Sequence, residues 1–138
     1  MQLLAHRRDE SLIFSFLISI STRRSPVTTL VAFLAESVGT GILAFVIFAL
    51  TNPKNDAVKG GFIPPLIGLT VGGLIAVLAP LTQAGFNPAR DFGPRIVAWF
   101  AGWKTVAFAN AWLYIVAPIV GAVVGAALAD RILFADDE

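Results

Sequence analysis

The stretch "GFNPARDFGPR", residues 85–95, sets Arg90 and Asp91 side by side directly after a run, Gly60 to Ala89, that holds no charged residue. Asn87 is a good helix cap, Pro88 suits a first helical position where its missing N–H costs nothing, and an apolar run continues to Trp99. Together they predict a short helix over residues 87–99. At about 1.5 Å per residue it reaches roughly 20 Å, short of the ~30 Å hydrocarbon core of a bilayer. The residues just before it, "LTQAGF", are too apolar for an exposed loop. A half-length helix behind an extended apolar segment describes a re-entrant loop. Non-helical backbone survives at membrane depth only where protein buries it or where it lines a watery cavity.

The rest of the chain supplies the membrane context. Of its 138 residues 57% are hydrophobic and 14% charged, against about a quarter charged in a soluble domain. A spanning helix takes about 20 mostly apolar residues. Three segments qualify, residues 28–50, 62–80 and 106–129, and Glu36 is the only charge inside them. Each is apolar all round, whereas a helix on a soluble core keeps a polar face. The predicted fold class is therefore an all-α membrane protein with three transmembrane helices and one re-entrant half-helix. "TNPKNDAVKGG", residues 51–61, reads as a polar loop, and Pro64 and Pro65 fall in the first turn of the second span. Without cysteine there are no disulfides or thiolate metal sites, and no metal or cofactor is expected. The net charge of +1 points to no nucleic-acid partner. Near the N-terminus an apolar run, Ser11–Ile20, lies between Arg7–Arg8 and Arg23–Arg24. It is too short to span and lacks a small-x-small cleavage site, so it reads as an interfacial helix or the remnant of a longer protein.

Charge placement carries the functional reading. Arg90 stands in the first turn of its helix, where the macrodipole favours an anion such as Asp91 and disfavours a cation. Local helix stability thus explains Asp91 but not Arg90. A cation beside a positive helix end repels other cations, which lets a pore pass neutral solutes while rejecting protons and metal ions. If the Asn87 side-chain oxygen caps the helix, its amide hydrogens remain to donate to a passing hydroxyl. The alternative is that Asn-Pro only begins a helix and Arg90 snorkels to the headgroups. Glu36 needs donors of its own, and the backbone N–H groups of the re-entrant loop are natural ones; a proton-relay role is the other option. Gly39, Gly41, Gly72, Gly73 and the Gly121–Gly125 spacing suit close helix approach, although glycine is common in membrane helices generally.

"GFNPARDFGPR", with "AESVGT" upstream and "PIVGAVVGA" downstream, resembles the second half of a major intrinsic protein, the aquaporin and glycerol-facilitator family, over about Thr29 to Phe134. Residues 1–27 carry no match. In that family two inverted repeats meet at the midplane, each with three spanning helices and a half-helix bearing an Asn-Pro-Ala box, and make one pore per subunit of a tetramer. Inverted repeats meeting at half-helix ends recur among transporters. The resemblance implies that residues 28–138 are the second repeat and that Asn87, Pro88 and Ala89 form its box, with Asn87 donating to the solute. It makes Arg90 the filter arginine, with Ala84 and Ile75 on two further filter positions. It assigns the carbonyls of Gln83, Ala84 and Gly85 to an acceptor ladder, and Glu36, with Asp91, to support of the pore loop. Asp91, Arg95 and Ile115 match the glycerol-conducting branch, whereas Tyr114 is more like a water channel. Glycerol, water and other small neutral solutes are the implied cargo.

The family's first repeat has no counterpart in this sequence. A pore then requires a first-repeat partner or a second copy, with a homotetramer if complete, in the lipid bilayer of the cell (inner) membrane. The rival expectation is a truncated, non-conducting fragment. In the family's orientation Lys54, Lys59 and Arg131 face the cytoplasm and Arg7, Arg8, Arg23, Arg24 and Lys104 the outside, a distribution opposed to the positive-inside tendency. A pore has no catalytic residues. An intramembrane enzyme using Glu36 and Asp91 as a carboxylate pair is the alternative of another class, and the "DFG" at 91–93 has no phosphate loop to accompany it.

Overall fold

The computed structural model describes residues 27–134. These are almost wholly helical, and among them there is no strand. They divide into two compact units, residues 27–88 with 112–134 and residues 89–111.

In the larger unit, helix α1 runs Thr29–Thr51. Thr28 caps it, its hydroxyl accepting the Val31 N–H at 3.4 Å. The loop that follows is built on two asparagines. Asn52 Oδ1 accepts the Lys54 N–H, Asn55 Oδ1 accepts the Ala57 N–H, and Asn55 Nδ2 donates back to the Ala49 carbonyl at 2.8 Å. A turn of 3₁₀ helix, Gly60–Phe62, leads into α2, Ile63–Thr82. Pro64 and Pro65 occupy its first turn, where no N–H is missed. The apolar pattern predicts an end at Pro80, yet the helix continues two residues beyond it. Proline obstructs the turn before it rather than the one after, and the helix stops instead at Gln83, whose φ of 69° is left-handed. Helix α4 runs Ala111–Leu133.

The three long helices are each 23 residues at a mean hydropathy of 2.1, counting the 3₁₀ turn with α2. At ~1.5 Å per residue each is about 34 Å long, enough to cross a bilayer core. Small residues set the packing of α1 on α4. A Cβ at Gly121 would strike the Ser37 carbonyl oxygen, and one at Gly125 the Gly41 carbonyl oxygen. The Ser37 hydroxyl donates to the Ala117 carbonyl at 3.1 Å, and Phe33 stacks on Trp112 with centroids 6.4 Å apart. Such contact between backbones is how helices associate where lipid removes the hydrophobic drive. Gly39 has the same role toward the loop: a Cβ there would meet the Phe86 ring and Leu78. Gly72 and Gly73, read as packing glycines from sequence, have nothing within 4 Å of an added Cβ, and they face outward.

Helix α3 begins at Pro88, the residue before the smaller unit, and ends at Ala98, roughly 16 Å and too short to span. A π-helical turn, Trp99–Trp103, and a 3₁₀ turn, Lys104–Phe108, follow it. The sequence pattern predicts the last span to begin at Val106, but that residue belongs to the 3₁₀ turn. Asn110, at φ 57°, breaks the helical path just before α4 starts; asparagine tolerates this conformation better than most residues.

Candidate functional site

The segment 83–87 joins α2 to α3, and its shape follows from its φ angles. Gln83, Ala84 and Phe86 all lie at positive φ, 69°, 52° and 52°, a region costly for residues with a Cβ. Side chains from three helices hold it there. Glu36, fully buried on α1, accepts the Gly85 N–H on Oε1 at 3.0 Å and the Phe86 N–H on Oε2 at 2.7 Å. Thr82 Oγ1 accepts the Ala84 N–H at 3.3 Å, and Tyr114 on α4 donates its hydroxyl to the Thr82 carbonyl at 3.1 Å. Thr40 Oγ1 donates to the Glu36 carbonyl at 2.7 Å, with a longer approach of 3.5 Å to the Phe86 carbonyl. A Cβ on Gly85 would lie 3.1 Å from the Tyr114 ring and 3.3 Å from Glu36 Oε2, so a larger residue fits only if these neighbours give by a few tenths of an ångström.

The amide pattern fixes the carbonyls. In a trans peptide the C=O of one residue points opposite to the N–H of the next. With the Gly85 and Phe86 amides drawn to Glu36, the Ala84 and Gly85 carbonyls are turned away from it. The Ala84 amide on Thr82 does the same for the Gln83 carbonyl. The Ala84 and Gly85 carbonyls thus lie on the side of the loop opposite a buried carboxylate.

Of the other residues singled out in the sequence, Ala84 is fully buried. Its left-handed φ turns the methyl group inward. Ile75 is half-buried on α2, Asn87 and Ala89 are exposed, and Pro88 is the first residue of α3. Arg90 is exposed on the first turn of α3.

Asp91, also in that first turn, is engaged by a residue that sequence reasoning left outside the site. Arg95 is 2% exposed and donates Nε and Nη2 to the Asp91 carboxylate at 2.5 and 3.0 Å. Its Nη1 donates to the Ala107 and Ala109 carbonyls at 2.8 and 3.0 Å. This fork joins α3 to the returning chain, with Phe108 packed edge-on against Phe92 and Trp99 at 5.6 and 5.8 Å. The available signal was the i, i+4 spacing of Asp91 and Arg95, which puts an acid and a base on one helix face. Nothing in the sequence marks the two carbonyls.

Three apolar helices of spanning length, a short helix opened by Asn-Pro-Ala, and a loop braced on a buried carboxylate define an integral membrane protein with an all-helical fold. The chain belongs to the major intrinsic protein family, whose model matches residues 15–129. The match begins inside the 1–27 segment that the motif resemblance leaves out; those residues up to 26 lie outside the described structure. The glycerol uptake facilitator protein of Escherichia coli K12 is 46% identical over 101 residues, covering 69% of this chain and 36% of that protein. The propanediol uptake facilitator PduF of Citrobacter freundii is 47% identical over 103 residues, covering 70% and 38%. A glycerol uptake facilitator protein of Pseudomonas aeruginosa is 44% identical over 101 residues, covering 69% and 36%. The chain thus spans little more than a third of the length of these curated relatives.

Proposed function

We propose that residues 28–138 form the second repeat of a channel through which glycerol, water and other small neutral solutes diffuse down their gradients in the cell (inner) membrane. The observation that carries this reading is the Glu36 brace: by taking up the Gly85 and Phe86 amides it turns successive carbonyls to one side of the loop. A row of acceptors replaces the hydrogen bonds a polyol or water loses on leaving bulk solvent, without any charged group to hold the solute. In this reading the carbonyls of Gln83, Ala84 and Gly85 accept from the solute and Asn87 donates to it. Ile75 supplies an apolar wall, and Pro88 and Ala89 complete the box. Arg90 and the positive end of α3 repel cations. Transport is by diffusion, with no catalytic group.

Sequence kinship to proteins named as glycerol and propanediol facilitators supports small polyols as the cargo. A first repeat, from a partner or a second copy in opposite orientation, supplies the facing half of the pore, and complete pores assemble as homotetramers. The test is stopped-flow light scattering on vesicles containing this chain together with the first repeat of a glycerol facilitator. Glycerol uptake well above that of vesicles with either half alone is expected. Uptake no faster than in empty vesicles, from a sample in which both halves are inserted, would overturn the reading.

A further inference from the structure

We propose that the turn Trp99–Lys104 is a lipid anchor, seated in the headgroup layer with Lys104 paired to anionic phosphates. This rests on the membrane fold and not on conduction. The Arg95 fork ties the Ala107 and Ala109 carbonyls to α3, and Phe108 between them packs against Trp99 on one side of the turn. The other side shows apolar surface to the outside: Phe100 is 83% exposed, Val106 56%, Trp103 42% and Trp99 41%. In water, an apolar surface this dense and held this rigidly would be a liability.

Three observations select lipid as the occupant. Only the stretch Thr105–Asn110 separates Lys104 from Ala111, the first residue of a helix long and apolar enough to span, so a short length of chain ties the turn to the end of that helix. Its exposed residues include two tryptophans, the type enriched at that level, where the ring's apolar body and its N–H meet different solvents. The local charge is complementary to phosphate: Lys104 is the only Lys, Arg, Asp or Glu between Arg95 and Asp130. The positive φ at Gly102 and Lys104, 102° and 44°, marks where the chain doubles back, so that the aromatics and the lysine occupy one turn.

The full chain, reconstituted with Trp99→Phe and Trp112→Phe so that Trp103 alone fluoresces, tests this with lipids brominated at two depths. Bromine near the headgroup is expected to quench Trp103 roughly twice as strongly as bromine at the chain end, with little quenching by aqueous acrylamide. In mixed vesicles brominated phosphatidylglycerol should quench more than brominated phosphatidylcholine at equal content, and Lys104→Gln should abolish that difference. Dominant quenching by acrylamide would overturn the proposal in favour of a solvated turn. Protection from both acrylamide and bromolipid would overturn it in favour of a protein partner. A phosphatidylglycerol preference that survives Lys104→Gln would overturn the lysine's role. Where the double variant loses helicity by circular dichroism, the difference between wild type and Trp103→Phe isolates the same signal.

Discussion

Glu36 and Phe86 meet through a 2.7 Å hydrogen bond between a carboxylate inside a membrane-spanning helix and a backbone amide at positive φ. Each explains the other. The carboxylate is fully buried and needs donors to be tolerated there; the strained peptide needs an acceptor to hold it.

Glu36→Gln should therefore be more harmful than its similar shape implies. A glutamine has one carbonyl oxygen for two amides, and its NH₂ group would face the other N–H. An unsatisfied buried donor costs about 1–3 kcal/mol. The expected result is a lower unfolding temperature in detergent, with hydrogen exchange accelerated first at Gly85 and Phe86. Unchanged exchange at these amides would contradict the brace.

Arg95→Gln should loosen the smaller unit. Removing one partner of a buried, hydrogen-bonded ion pair costs roughly 3–5 kcal/mol, and Arg95 and Asp91 are 2% and 10% exposed at their side chains. Arg95→Lys keeps the charge but cannot supply the fork that reaches both the Asp91 carboxylate and two carbonyls, so it should recover only part of the loss. In a cycle with Asp91→Asn, the double variant should be less destabilised than the sum of the singles, because Asp91 without its arginine is an uncompensated buried charge. Chemical denaturation in mixed micelles gives the three values.

How far these features could be read from the sequence depends on the range of the interaction behind them. The three spans were legible because length and hydropathy are local properties and the bilayer sets the required length. That a carboxylate at position 36 demands donors was equally plain. Which amides answer depends on left-handed turns at Ala84 and Phe86, residue types that give no warning of that conformation. The start of α4 at Ala111 was missed for the same reason, since Lys104 and Asn110 at positive φ break an apolar run that looks continuous. Arg95 reads as a charged end of a short helix, and its structural role appears only when the Ala107 and Ala109 carbonyls fold back to it.

Glycines that look alike in the sequence should respond differently to substitution. Gly121→Leu and Gly125→Leu place side chains where α1 carbonyl oxygens lie, so the helices must separate and the Ser37 to Ala117 hydrogen bond must break. Overpacking of this kind costs about 1–3 kcal/mol or more. Gly72→Ala and Gly73→Ala meet open space, and each should be neutral or gain up to ~1 kcal/mol from higher helix propensity. Thermal aggregation of the purified variants in detergent separates the two pairs, and equal behaviour of all four would contradict the α1 to α4 interface.

Arg90 provides the sharpest test of the pore. A unit charge about 6 Å from a passing cation, at an effective permittivity near 20, raises the barrier by roughly 3 kcal/mol, which is on the order of a hundredfold in cation flux. In the complemented channel, Arg90→Val should therefore admit protons and sodium at rates at least about tenfold above the parent after allowance for screening, while glycerol flux is kept or increased. Arg90→Lys should retain the exclusion, since it retains the charge. A pH-sensitive dye inside the vesicles, with glycerol uptake measured on the same preparation, reads both quantities. If Arg90 only snorkelled to the headgroups, the valine variant would leave proton leak at the parent's level, and cation rejection would have to come from the α3 dipole alone.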